Sequence, residues 1–312
     1  MNSQQPIPTQ VQDGPHQGDL VDSIEGHQVI DCRSCGLRHI LPLPDPAELE
    51  RLYRDSYFSQ ENPKHLEQRQ EDQAWWDLVY QDRCDSFQQL LGPGPHRVLD
   101  VGSGAGYFPR HIQTERGWTV LAVEPSRQAA EFARSLGVPV INDFFSSRLA
   151  AELGQFQVVQ ADHLLEHVPD PARLVADIRG LLVPGGVACI IVPNDYNPFQ
   201  QALRNACGVH PWWLVPRHHL NYFNADSLTG LLERHDFVIE RVEASFPIDL
   251  FLLMGDDYLT DPALGRACHR KRMNFETHLR QAGLNDLRRE LYRRLAELGL
   301  GRDLVVYARA PE

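Results

Sequence analysis

The chain has no run of about 18 consecutive apolar residues, so nothing in it is expected to span a membrane. Its first residues, Met1 to Pro6, lack a basic segment followed by an apolar one, so no secretory signal is expected there. Positive charge is in deficit: 30 Lys and Arg stand against 42 Asp and Glu, a net charge of −12. That balance argues against nucleic acid as a partner, because phosphate binding depends on clustered positive charge. Six cysteines in 312 residues are too few for a disulfide scaffold. A cytoplasmic, reduced protein is the expectation. What is present is ordinary for a globular protein, 42% hydrophobic and 23% charged residues, and the length suits one domain with appendages.

The chain is organised around Val98-Leu99-Asp100-Val101-Gly102-Ser103-Gly104-Ala105-Gly106. An apolar run ends on a carboxylate, and three glycines then alternate with small residues before Tyr107 and Phe108 open a helix. This reads as a buried parallel strand turning into a helix where a ligand approaches the backbone too closely for side chains. A dinucleotide turn needs G-x-G-x-x-G, whereas Gly102, Gly104 and Gly106 give G-x-G-x-G and position 107 is tyrosine. Asp100 precedes the first glycine, where it would repel a pyrophosphate and attract a cationic amino-acid portion. Strand two, Thr119 to Glu124, ends on an acid suitably spaced to grip both ribose hydroxyls of an adenosine.

The glycine stretch resembles motif I of class I S-adenosylmethionine-dependent methyltransferases. The segment from Leu165-Glu166-His167 through Asp170-Pro171 to Leu182-Val183-Pro184-Gly185-Gly186 resembles the second half of the same family over some thirty positions. The resemblance implies that S-adenosylmethionine is bound by Asp100, Gly102, Ser103, Gly104, Gly106, Tyr107, Glu124 and Pro125. It implies further contacts from Asp143 and Phe144 after strand three, and from Asp162 and His163 after strand four.

Strands and helices alternate from residue 97 onward, with strand three at 139–141, strand four at 156–160 and strand five at 187–192. Strands six and seven are expected at 237–242 and 304–308. The expected fold is a doubly wound, Rossmann-like α/β sheet of seven strands, mostly parallel with the last strand antiparallel. Asp45, Ser126, Asp170 and Asp226 are expected helix N-caps. Between strands six and seven lies a helical insertion at about 246–302, ending in an amphipathic helix with Leu284, Leu287, Leu291, Leu295 and Leu298 on one face. Residues 266–302 carry ten Arg or Lys against four Asp or Glu, which reads as a solvated face or, alternatively, as a cationic wall for an anionic substrate.

Residues 1–20, rich in Gln, Pro, Gly and Asp, read as a disordered tail, and 21–92 as a separate module with covering helices, ahead of a methyltransferase domain at 93–312. The module holds Cys32-Arg33-Ser34-Cys35-Gly36, the shape of a zinc knuckle, with His27 and His39 as completing candidates. No second Cys-x-x-Cys pair accompanies it, so an incomplete site without metal is expected. The stretch resembles the N-terminal module of some bacterial sugar and natural-product methyltransferases. His163 and His167 stand four apart, but no Glu lies between them as in a metalloprotease helix, and no metal is expected there.

Loops after strand ends hold the substrate in such a sheet. His218 or His219, with Asp195 nearby, is the candidate general base, and His163 the reserve. The function so implied is methyl transfer from S-adenosylmethionine to a small molecule, at a hydroxyl oxygen first and at nitrogen or carbon as alternatives. A nicotinamide-dependent oxidoreductase and a non-catalytic zinc-binding or scaffold protein are the rival readings.

Overall fold

The structure, a computed structural model, describes residues 10–61 and 65–312. Four strands open it: β1 (Gln10–Asp13), β2 (His16–Ile24), β3 (His27–Cys32) and β4 (Arg38–Leu41). Then come β5 (Arg97–Val101), β6 (Thr119–Val123), β7 (Val140–Ile141), β8 (Phe156–Asp162) and β9 (Leu182–Pro193). The last three are β10 (Asn221–Tyr222), β11 (Val238–Ala244) and β12 (Asp303–Arg309).

Seven of these form one sheet in the order β11-β12-β9-β8-β5-β6-β7, with β12 antiparallel to both neighbours and the remaining pairs parallel. Val98, Leu99 and Val101 on β5 are fully buried, as expected of a central strand covered on both faces. One face packs Val175, Ile178 and Leu181 from the helix Pro171–Leu181, together with Leu228, Leu231 and Leu232. The other packs Tyr80, Cys84 and Phe87 from the helix Gln73–Leu91, with Phe108 and Ile112. Strand order reverses beside β5, between β6 and β8, and the crevice outside the strand ends there is where open α/β sheets take their ligands. Among the described residues no helix is long and apolar enough to cross a membrane.

Asp45, Ser126 and Asp170 cap their helices through side-chain acceptors, as expected. Asp226 does not: Asn224 is the N-cap, in a capping box with Ser227, and Asp226 lies in the first turn.

The expected tail differs more. Residues 1–9 lie outside the described residues, but 10–20 belong to β1 and β2, which pair antiparallel with each other and then with β3. The backbone ladder holds this polar stretch, with Val11 packed against the cluster of Ile30, Cys32 and Leu41. The module is also less separate than its composition suggests. β10, contributed by the segment after β9, pairs with β4 (Asn221↔His39, Tyr222↔Arg38) and completes a five-stranded sheet β1-β2-β3-β4-β10.

The insertion is helical, with helices Asp249–Leu253, Pro262–Gln281 and Asn285–Glu297. The last is amphipathic in the opposite sense to the usual one: Leu284, Leu287, Leu291 and Leu298 are exposed, while Arg288, Arg289 and Tyr292 are buried. The arginines turn inward because acids await them. Arg288 pairs with Asp82, Arg289 donates to Glu243 at 2.8 Å, and Tyr292 donates to Glu276, which also accepts from Trp75. Arg266 likewise pairs with Asp72, and Arg302 with Asp195 at 3.0 Å. The local positive charge therefore cross-links the insertion to the body.

Candidate active site

A cavity of about 1200 Å³ opens at the C-terminal ends of β5, β6 and β8. Asp100, Gly102, Ser103, Gly104, Tyr107, Glu124, Pro125, Asp143, Phe144, Asp162, His163 and His219 line it. Three sequence candidates do not: Gly106 lies behind the turn, and His218 and Asp195 are off the wall.

The turn is built by backbone geometry. Gly102, Gly104 and Gly106 have φ of 73°, 53° and 75°, in the region where a Cβ is strained. At Gly106 space is also missing, since a Cβ would stand 2.7 Å from Cβ of Ala133. Gly102 N and Ser103 N both donate to Val123 O, at 2.8 and 3.2 Å, which closes the turn onto β6. Glu124 then ties it from the side: Oε2 accepts from Gly104 N and Oε1 from Ser126 N, each at 2.8 Å. Asn142 Nδ2 donates to Glu124 O at 2.8 Å and to Pro125 O at 2.9 Å, joining the ends of β6 and β7.

Several carboxyls here carry unusual protonation. Burial pushes Asp100 up to about 7, helped by the charge of Asp162 and opposed by Arg83, while Gln160 Nε2 donates to it at 3.2 Å. Burial pushes Glu124 up to about 7 against its two amide donors. Asp162 behaves oppositely. Burial would raise it, but the Arg83 guanidinium at 2.7 Å and His163 at 2.6 Å hold it well below the usual carboxylate range. Asp143 accepts from Phe144 N at 2.9 Å and faces Arg54 at 3.4 Å.

Across the cavity stands a group of histidines. His163 adopts φ of 51°, and its ring lies between Asp162 Oδ1 at 2.6 Å and Asp303 Oδ1 at 3.2 Å. The two carboxylates keep it well above the ordinary histidine range. That shift favours the imidazolium, which has no lone pair to accept a proton. His219 is the reverse case. Burial, with the charges of His167 and Arg302, keeps it well below the ordinary value, so its ring is neutral. Its Nδ1 lies 4.0 Å from Asp195 Oδ2 and makes no hydrogen bond among the described residues. Burial likewise raises Asp195, against the pull of Arg302. The carbonyl of His218 accepts from Tyr53 Oη at 3.2 Å and lies 2.7 Å from His167 Nδ1, and its ring packs edge-on against Tyr57 with centroids 5.9 Å apart.

Glu166 and Tyr53 were not among the sequence candidates, and His167 was weighed there only as a metal ligand; the structure puts all three on the cavity wall. Glu166 is 1% exposed, and burial pushes it up to about 8. Neither of its carboxyl oxygens makes a hydrogen bond among the described residues, although His167 Nε2 stands 3.6 Å away. A polar residue directly before His167 in an otherwise apolar turn was the available signal. Tyr53 reaches in from the N-terminal module, 2.9 Å from His167 Nδ1, and no local pattern announces that contact.

Two groups of described residues gather potential metal ligands within 4.8 Å of one another: Glu166-His167-His219 in the cavity and His16-Cys32-Cys35-His39 in the N-terminal sheet. The second set replaces the expected His27 by His16. His27 lies at the other end of the hairpin, with Nδ1 3.2 Å from Pro42 O.

A family model described as a methyltransferase domain matches residues 65–242, more than half of the chain. The chain belongs to the methyltransferase domain family. The match runs from the helices ahead of β5 into β11, so it takes in both the glycine turn and the histidine group. The ubiquinone biosynthesis O-methyltransferase of Actinobacillus pleuropneumoniae is 32% identical over 134 residues, 36% of this chain and 57% of that protein. The protein of the same name from Ralstonia nicotianae is 35% identical over 127 residues, 36% of this chain and 53% of that one. The chain thus spans little more than half the length of the curated relatives it matches. Among solved structures, the plantazolicin methyltransferase BpumL in complex with a monoazolic desmethylPZN analog and SAH is similar at a TM-score of 0.51 and 14% identity. That likeness covers 85% of this chain and 96% of BpumL and is one of fold. A putative methyltransferase solved in complex with the Haloferax volcanii Trm112 activator gives a TM-score of 0.50 at 14% identity, covering 83% and 97% of the two chains.

Proposed function

We propose that the cavity binds S-adenosylmethionine and that the protein transfers its methyl group to a small-molecule acceptor at a hydroxyl oxygen. The observation that carries this reading is the pair of buried acids on one turn: Asp100 beneath it and Glu124 beside it. Both are pushed up to about 7 by burial, so each gains from a ligand that supplies positive charge or hydroxyl donors. A cationic amino-acid portion next to Asp100 and a ribose diol on Glu124 meet those needs. Ser103 Oγ, buried in the same turn with no hydrogen-bond partner among the described residues, offers a further contact. A pyrophosphate would instead face the carboxyl of Asp100, which sets the nicotinamide reading aside.

When bound, the cofactor supplies an activated methyl on a sulfonium. The chain has to hold the acceptor in line with it, exclude water and remove a proton. His219 is the group for the proton, being neutral, on the cavity wall and backed by Asp195. His163 serves differently, as a fixed positive charge that holds Asp162 and Asp303 in place. Tyr53 closes the cavity from the N-terminal side. The oxygen acceptor accords with the name of the O-methyltransferase relatives and with a histidine base.

The test is calorimetry with S-adenosylhomocysteine and with NAD, followed by methyl-labelled cofactor and a panel of hydroxylated small molecules. S-adenosylhomocysteine should bind and NAD should not. Binding of NAD alone would overturn the cofactor assignment, and label appearing only on amines would overturn the acceptor atom.

A further inference from the structure

We propose that His16, Cys32, Cys35 and His39 hold a structural zinc ion, and that this ion fastens the strand pairing which leads into the His219 loop. The sequence alone argues for an incomplete site, because it offers one Cys-x-x-Cys pair and misidentifies the first histidine. The folded chain supplies the missing ligand. Cys32 ends β3, and the turn after it is tight, with Gly36 N donating to Cys32 O and Cys32 N to Leu37 O, each at 3.0 Å. β2 and β4 pair on either side of β3, and they bring His16 and His39 to the same point. All four ligand atoms fall within 4.8 Å of one another.

The distances suit a tetrahedral centre. With Zn–S of about 2.3 Å and Zn–N of about 2.0–2.1 Å, a tetrahedral S···N edge measures about 3.5 Å. Cys32 Sγ and His16 Nδ1 are 3.6 Å apart. His39 is 3% exposed, and its Nδ1 lies 2.9 Å from Ile40 O, so that nitrogen carries the proton. The lone pair is then on Nε2, which is buried and makes no hydrogen bond among the described residues. A ligating imidazole is ordinarily held this way, its other nitrogen donating to a carbonyl. Two thiols and two imidazoles, with no fifth position used, make the closed donor set of a structural zinc site.

The consequence reaches the cavity through β10. His39 is the register partner of Asn221, and Ile40 N donates to Leu220 O at 2.9 Å. Leu220 N donates to Glu166 O at 2.7 Å, and Asn221 Nδ2 donates to Leu165 O at 3.1 Å and Val168 O at 2.8 Å. A ligand strand fixed by the ion therefore sits one pairing away from both His219 and the Glu166-His167 turn.

The experiment is metal analysis of the full chain purified under reducing conditions without chelator. One zinc per chain is expected. His16→Ala and Cys32→Ser should each lose it, and His27→Ala should keep it. Cobalt(II) in place of zinc should show the visible bands of a tetrahedral site and a thiolate charge-transfer band, the latter weakened in Cys32→Ser. Removal of zinc from the wild-type chain should speed amide exchange at 38–41 and 219–223 more than at the glycine turn. A wild-type chain that carries no zinc and takes up no cobalt would overturn the proposal, whether or not the variants fold. Loss of metal in His27→Ala would overturn the ligand set. S-adenosylhomocysteine binding, measured on the same sample, reports separately on the methyl-transfer reading, and its failure leaves the metal stoichiometry untouched.

Discussion

Replacing Glu124 by alanine perturbs two things at once, and their sizes differ with pH. The carboxyl is 5% exposed and accepts from Gly104 N and Ser126 N, so its loss orphans two amides of the glycine turn. Each orphaned buried donor costs about 1–3 kcal/mol. Against this stands the charge itself. A carboxyl moved from an unfolded value near 4.5 up to about 7 carries an ionisation penalty of about 3 kcal/mol once it is charged in the fold. For a raised pKa the favourable contribution is full below the unfolded value and is lost as pH rises through the folded one. Glu124→Ala should therefore destabilise the cofactor-free protein at about pH 5, and much less, or not at all, at about pH 8. Cofactor affinity should fall at either pH. Charged hydrogen bonds to the ribose are worth about 1.5–3 kcal/mol each, so the dissociation constant should rise tenfold or more. Glu124→Gln should do nearly as badly, because its amide NH2 must face one of two backbone N–H groups. Titration calorimetry with S-adenosylhomocysteine and thermal unfolding at the two pH values measure both effects. An unchanged dissociation constant in Glu124→Ala would refute the ribose role. Equal destabilisation at both pH values would refute the buried-acid account.

His219→Ala should lower turnover by about 10²–10⁴-fold and leave cofactor affinity nearly unchanged, as steady-state kinetics beside calorimetry would show. Because burial keeps His219 well below the ordinary histidine value, turnover should persist as pH falls through the usual imidazole range; a drop at about 6.5 would point to another base. Asp100 and Glu124 are both pushed up to about 7 by burial, and a ligand that needs their charged forms must expel protons. Cofactor affinity should thus strengthen as pH rises to about 7 and then level, and below it the calorimetric heat should vary with the buffer's ionisation enthalpy; a heat independent of buffer would count against this.

The parallel strands and the glycine turn were legible because their signals are local: a buried strand reads as a continuous apolar run, and Gly102, Gly104 and Gly106 mark the positive φ that the turn needs. Strand β5 falls on the residues expected of it. The leucine stripe of the last insertion helix shows what periodicity omits. It says which residues share a face and not which face turns inward, and acids on the helix Gln73–Leu91 and on β11 decide that for Arg288 and Arg289. His16 was missed for a related reason. A polar stretch without apolar anchors looks disordered until its ladder with β3 is known. Tyr53 and Arg83 join the site through contacts of long sequence separation, which no window of neighbouring residues contains.

The shared strand β10 also decides where the protein can be cut. A fragment beginning at residue 93, where composition suggests a boundary, would keep every glycine of the turn and every strand of the large sheet. It would lose Arg83 from Asp162, Tyr53 from His167 and β4 from β10. Asp162 would be left with His163 as its cation, and the residues leading from His219 would become a bare edge two residues long. Such a piece would carry the fold's signature in sequence and lack the cavity wall that residues 46–80 supply.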